Sequence, residues 1–216
     1  MQLIFEHFIR FSIWLVAHSF YRPHVSGEEN IPQSGAAILV CNHVSFVDWL
    51  FISASLNRPV RFVIDQAYFR GIILKPSLAA LRVIPIAGPR EDPRILEEAY
   101  RKVAAELARG ELVCIFPEGC VTRNGKLGEF KPGVMKILKE NQVPVIPLQL
   151  SGLWGSIFSY AGGLPLKKRP RRFRARIGLR IGKPISPGSI TLAGLKEKVA
   201  ALKNPSEPPE SLVQRA

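Results

Sequence analysis

Ala36-Ala37-Ile38-Leu39-Val40-Cys41-Asn42-His43-Val44-Ser45-Phe46-Val47-Asp48 is the stretch on which the reading of this chain turns. Its apolar run from Ala36 to Cys41 reads as a buried strand, so His43 stands at a strand exit with Asp48 five positions later. An imidazole, with an unperturbed pKa near ~6.5, accepts a proton at neutral pH. A carboxylate bonded to it fixes its tautomer and stabilises the imidazolium that forms. Residues five apart do not share one helix face. The two therefore meet only if His43 sits in the strand-to-helix turn and Asp48 in the first turn of the next helix. Ser45 is a good N-cap for the run Phe46 to Ile52, which allows that placement. The same residues support a plainer role, because Ser45 and Asp48 form a capping-box-like pattern in which Asp48 bonds backbone N–H groups. Spacing leaves both roles open.

Outward from this stretch, strands alternate with helices. Val60-Arg61-Phe62-Val63-Ile64 is a short apolar run, and Val83-Ile84-Pro85-Ile86 a strand that Pro85 confines to an edge or a strand end. Asp92 caps a helix that opens on Pro93 and ends at Gly110. Leu112-Val113-Cys114-Ile115-Phe116 is a second buried strand, followed by Pro117-Glu118-Gly119 and a polar loop to Lys131. A helix from about Pro132 to Asn141, a strand over Val145 to Leu150, a strand over Ala175 to Ile181 and a helix over Ile190 to Lys203 complete the pattern. Such alternation predicts an α/β fold, with a mostly parallel or mixed central sheet flanked by helices. Ligands of these sheets gather at the carboxyl ends of the strands, where His43 and Glu118 both lie. Tyr21 to Gly35, punctuated by Pro23, Gly27, Pro32 and Gly35, reads as irregular connection. Ala67 to Leu81 reads as an apolar platform with basic edges, and the Pro-rich stretch 204–216 as a disordered tail.

The segment from Leu3 to Tyr21 is rich in Phe, Ile, Leu and Trp14 but carries Glu6, His7, Arg10 and His18. Its uninterrupted apolar core falls short of the ~18 residues of a spanning helix, and it lacks the basic start and small-residue cleavage site of a signal peptide. An amphipathic helix lying in a lipid interface fits it; packing on the protein's own core is the other reading. The expected division is a membrane-associating helix over 1–24, a catalytic domain over 25–203 and the tail. A net charge of +13 points to an anionic partner. The dense run Lys167 to Arg176 suits lipid headgroups or nucleic-acid phosphates. The three cysteines, Cys41, Cys114 and Cys120, are too few and scattered for a disulfide framework or a zinc site, and a reducing, cytosol-facing compartment follows. Gly119 to Gly125-Lys126 is not a nucleotide loop: it has one residue too many between the glycines, and Leu127 where Ser or Thr would hold Mg²⁺.

Taken together, Asn42-His43 with Asp48, Phe116-Pro117-Glu118-Gly119, and Val145-Ile146-Pro147 resemble the glycerolipid acyltransferases, from about Gly27 to Pro184. The resemblance implies an O-acyltransferase of the 1-acyl-glycerol-3-phosphate type. His43 would be its general base and Asp48 the partner that orients it. Glu118 and Gly119 would bind the glycerol-phosphate end of the acceptor, with Arg123 and Arg90 as further substrate-binding residues. No metal and no cofactor are implied; acyl-carrier protein or acyl-CoA serves as co-substrate, and a lysophospholipid is the acceptor. Membrane lipids are expected partners and nucleic acid is not. The implied location is the cytoplasmic face of the inner or plasma membrane, peripheral or monotopic.

Two departures stand out. The family's Glu-Gly-Thr-Arg is here Glu118-Gly119-Cys120-Val121, with an arginine two positions later, at Arg123. The arginine of the second block also stands off from its strand, with Ala87-Gly88-Pro89 before Arg90. The resulting Glu-Gly-x-x-Thr-Arg spacing, and Gly152-Leu153-Trp154-Gly155-Ser156, look like the acyltransferase module of 2-acyl-glycerophosphoethanolamine acyltransferases and of transporter-acyltransferase fusions. A headgroup-bearing lysophospholipid is thus also an expected acceptor. Cys120 offers rival chemistry as a thiol nucleophile, which needs an electropositive, partly exposed site. A basic nucleic-acid-binding protein and a catalytically silent lipid-binding scaffold are the alternatives from other classes.

Overall fold

The computed structural model describes residues 2–67, 79, 81–169 and 174–203. The apolar platform expected over 67–81 falls almost wholly outside them, as do the tail and Pro170 to Phe173 of the basic run. Helix α1 (Gln2–Phe20) leads into strand β1 (Tyr21–Ser26). Then come β2 (Ala37–Cys41), α2 (Asp48–Ser55), β3 (Val60–Asp65), β4 (Ile84–Ile86), α3 (Pro93–Ala108) and β5 (Leu112–Ile115). Helix α4 (Gly133–Glu140), β6 (Val145–Ser151), β7 (Ala175–Ile181) and α5 (Leu192–Ala201) close the chain. The strands form one sheet in the order β1-β7-β6-β2-β5-β3-β4, in which every ladder but β6–β7 is parallel. This is the expected mostly parallel α/β sheet.

Alternation along the strands divides the core between two faces. Leu39, Cys41, Cys114 and Ile146 point to the side covered by Ala17 of α1 and by Phe51 and Ile52 of α2. Ile38, Val40, Val113 and Ile115 point to the opposite side, under Ala99 and Val103 of α3, Val134 and Ile137 of α4, and Leu195 of α5. With both faces covered, β2 and β5 are buried along their whole length, which is why they read as unbroken apolar runs. Asp92 accepts from the N–H groups of Arg94 and Ile95 at the start of α3, as its capping position predicts.

Three expectations are corrected. Tyr21 to Ser26 is not irregular: it is an edge strand, paired in register with Ala175 to Arg180, followed by a short 3-10 turn at Glu28–Asn30. Its sequence hides this because alternate residues, Arg22 and His24 among them, face solvent. An edge position also tolerates Pro23. The boundary drawn at residue 24 therefore moves to the end of α1 at Phe20. Ser45 does not cap α2, whose first residue is Asp48 with Val47 at the cap. And α1 is not divided into an apolar and a polar face. Ile9, Ile13 and Ala17 pack on the core, while Phe8, Phe11, Trp14 and Leu15 are exposed. Arg10, which seemed to interrupt it, donates inward to the Leu56 carbonyl at 2.7 Å.

Candidate active site

The sheet brings the two motifs together by register. Val40 of β2 lies opposite Ile115 of β5, so His43 and Glu118, each three residues further on, leave neighbouring parallel strands side by side. Asn42 secures the first exit. Its Oδ1 accepts from the Leu150 N–H at 2.7 Å and its Nδ2 donates to the Leu150 carbonyl at 2.9 Å, continuing the β2–β6 ladder with a side chain where the backbone turns away.

His43 Nδ1 lies 2.8 Å from Asp48 Oδ2. That same oxygen accepts the backbone N–H groups of Val44 at 2.7 Å and Ser45 at 3.0 Å. The two roles left open by spacing are thus filled at once: Asp48 pins the turn and holds the imidazole. A carboxylate only accepts hydrogen bonds, so Nδ1 carries the proton and Nε2 keeps its lone pair. Asp48 is fully buried. Burial pushes its pKa up, while the imidazole and the backbone donors pull it back. The His43 ring stacks on Phe116, with centroids 4.3 Å apart.

Glu118 faces inward, 5% exposed. Its Oε1 accepts the His43 N–H and its Oε2 the Gly128 N–H, both at 2.7 Å. Burial raises its pKa, against the pull of those two donors. The Thr122 N–H donates to the His43 carbonyl at 2.8 Å, so the loop after β5 grips both backbone groups of His43. Each oxygen of Glu118 thus holds a loop, and its neighbours Pro117 and Gly119 line the cleft. Arg90 is exposed, next to Gly88 and Pro89, which line the cleft.

A cleft of about 620 Å³ opens over His43. Its inner part is walled by Val63, Ile86, Leu96, Tyr100, Val134 and Ile137, between the carboxyl ends of the strands and helices α3 and α4. Its rim carries Gly119, Cys120, Arg123 and Lys131. The Arg123 guanidinium lies over the Tyr160 ring at 4.7 Å, and Tyr160 packs on Phe46. Cys120 is exposed, whereas Cys41 and Cys114 are buried strand residues whose thiol pKa values burial pushes up. Sequence reasoning did not single out Lys131, Tyr160 or the bonding of Asn42. No spacing rule points to the first two; Asn42, a polar residue ending an apolar run, was the readable signal. Within the basic run, Lys168 turns inward and donates to the carbonyls of Ser159 and Ala161 at 2.6 and 2.5 Å.

The family model described as Acyltransferase matches residues 22–151. A chloroplast 1-acyl-sn-glycerol-3-phosphate acyltransferase of Arabidopsis thaliana is 32% identical over 151 residues, 68% of this chain and 41% of that protein. The 1-acyl-sn-glycerol-3-phosphate acyltransferase of Pseudomonas aeruginosa is 30% identical over 153 residues, 68% of this chain and 56% of that one. The chain thus spans about two fifths to three fifths of the length of these relatives. The crystal structure of the 1-acyl-sn-glycerophosphate acyltransferase PlsC from Thermotoga maritima superposes with a TM-score of 0.69 at 23% identity, covering 97% of this chain and 78% of that one, and so shares the fold. With the family model matching more than half of its length, the chain belongs to the glycerolipid acyltransferase family.

Proposed function

We propose that this chain transfers a fatty acyl group from a thioester, acyl-carrier protein or acyl-CoA, to a hydroxyl of a lysophospholipid, either 1-acyl-glycerol-3-phosphate or one with a headgroup. The observation that carries the reading is the 2.8 Å contact between His43 Nδ1 and Asp48 Oδ2 at the mouth of an apolar cleft. With Nδ1 protonated, Nε2 is the base. The acceptor oxygen attacks the thioester carbonyl as Nε2 takes its proton. When the tetrahedral intermediate collapses, the C–S bond breaks and the imidazolium returns the proton to the departing thiolate. Asp48 offsets the charge on the ring meanwhile. The apolar inner cleft suits the acyl chain.

The enzyme would work as a peripheral protein on the cytoplasmic face of a membrane. Among the described residues no helix is long and apolar enough to cross a bilayer. Helix α1 nevertheless exposes Phe8, Phe11, Trp14 and Leu15, as an interfacial helix does. The net charge of +13 favours anionic headgroups.

The test offers labelled acyl-CoA and acyl-carrier protein against a panel of lysolipids in mixed micelles and resolves products by mass. Wild type should form a diacyl product, and His43→Ala should lose activity by about 10³-fold, within the range of general-base assistance. Equal rates for the two proteins defeat the reading, and vesicle binding without turnover identifies the silent scaffold instead.

A further inference from the structure

Among the described residues, one arginine and one lysine line the cleft, Arg123 and Lys131. Arg123 is laid over Tyr160. Lys131 is exposed on the cleft rim and has no hydrogen bond or ion pair for its ammonium group among the described residues. Its position is nonetheless defined. Its backbone N–H donates to the Pro117 carbonyl at 2.8 Å, and its side chain runs flat across Gly119. A Cβ at residue 119 would fall 2.5 Å from Lys131 Nζ, 2.8 Å from Cε and 2.9 Å from Cδ. The φ of +67° favours glycine at 119, and a side chain there would also push the lysine off this path. The Pro-Glu-Gly turn thus holds the imidazole on one account, through the Glu118 bond to the His43 N–H, and an uncompensated ammonium on the other.

We propose that Lys131 receives the phosphate of the acceptor lipid and so places the acceptor hydroxyl beside His43, with Gly119 keeping the path of the lysine side chain clear. This rests on the acyltransferase reading above. Substrate geometry favours the acceptor as the source of the phosphate. In a lysophospholipid the reacting hydroxyl and the phosphate ester stand on the same glycerol, on adjacent carbons in a 1-acyl acceptor and one carbon further apart in a 2-acyl one, so a cation on the turn that holds the base is within reach of that phosphate. In either thioester carrier the pantetheine arm separates the reacting carbonyl from the nearest phosphate. The charge also stands where the sequence lacks one, since Cys120 and Val121 follow Gly119 directly. An ammonium is a point charge without the planar fork of arginine. It accepts a phosphate diester as well as a monoester, which suits a headgroup-bearing acceptor.

The test is steady-state kinetics of the whole chain in mixed micelles, varying acceptor and donor separately, for wild type, Lys131→Ala and Lys131→Arg. Lys131→Ala should raise the acceptor KM about ten- to a hundred-fold, as expected for losing a charged hydrogen-bond partner. The donor KM should hold, kcat should fall less than the acceptor KM rises as placement is loosened, and Lys131→Arg should recover most of both losses. Should Lys131→Ala fail to fold, Lys131→Gln reads the same constants. A rise in donor KM instead assigns the lysine to the carrier's phosphate and overturns the proposal, as does an unmoved acceptor KM beside a normal wild type. A wild type that acylates no lysolipid overturns the functional reading and this proposal with it.

Discussion

The two ends of the sheet each hold a pair of acidic side chains, and they neutralise them by different means. At the amino end of β3 and β5, Glu106 and Glu111 are met by arginines. Arg61 lies 3.1 Å from Glu111 and Arg109 2.8 Å from Glu106, while Arg82 pairs with both. At the carboxyl end, Asp48 and Glu118 are met by backbone N–H groups and one imidazole. At the first end each acid is paired with arginine within the cluster. At the second end the acids hold loops and a ring, and the nearby Lys131 ammonium has no ion pair among the described residues. The difference separates a cluster that fixes the fold from one that fixes a reactive geometry. Substitutions at the first should cost stability and at the second activity.

Asp48→Asn tests the second half of that statement with the largest expected effect. An amide oxygen still accepts the N–H groups of Val44 and Ser45, and a neutral side chain avoids the burial cost that pushes the Asp48 pKa up. That oxygen, placed as Asp48 Oδ2 is, still faces His43 Nδ1 and keeps its tautomer, but the neutral amide no longer offsets the charge of the imidazolium, and its N–H₂ takes the place of the buried, unpartnered Oδ1. Turnover should fall by about 10²- to 10⁴-fold, the range of general acid–base assistance, with only a modest drop in melting temperature from the buried amide N–H₂. Activity above a tenth of wild type would show that Asp48 serves the turn alone.

Arg61→Met tests the first half. Arg61 is 2% exposed, and its loss leaves Glu106 and Glu111 with Arg82 and Arg109, so the cost lies at the lower edge of that for breaking a buried pair, about 3 kcal/mol. Urea unfolding should show it as a lower midpoint at constant slope, with kcat and both KM values per folded molecule unchanged. A variant that keeps its stability but loses turnover would erase the distinction between the two ends.

How much of this was legible follows from what a side chain does to its own neighbourhood. His43 and Glu118 were readable as strand-exit residues because β2 and β5 are buried on both faces and announce themselves as apolar runs. Their meeting is a consequence of the Val40–Ile115 register, which sequence alone does not set. The helix start misled because Ser45 has capping chemistry, yet its hydroxyl bonds the Val47 N–H while Asp48 takes over the turn. β1 was hidden by its alternation, since an edge strand with Arg22 and His24 facing water has no apolar run to read. Lys131 could not be found at all. Among 30 basic residues, only the fold shows which of them line the cleft.

Glu118→Gln sharpens the comparison at the smallest scale, because it asks whether an acid bonded to the backbone of two loops acts through them or on the substrate. A glutamine keeps one acceptor oxygen for two backbone donors. Its N–H₂ group must then face the N–H of either His43 or Gly128, so one buried donor goes unpaired, at about 1–3 kcal/mol. If the pair kept is Gly128, His43 loses the anchor on its backbone nitrogen but retains Asp48 and the Thr122 bond to its carbonyl. The ring should then stay close to its place. The expected result is a modest loss of stability with kcat lowered by about ten-fold, as for a misplaced catalytic group rather than a missing one, and an acceptor KM that moves less than in Lys131→Ala. An acceptor KM that rises as far as the lysine variant's, with kcat intact, would return Glu118 to the substrate side of the cleft and leave Asp48 as the carboxylate that holds the imidazole.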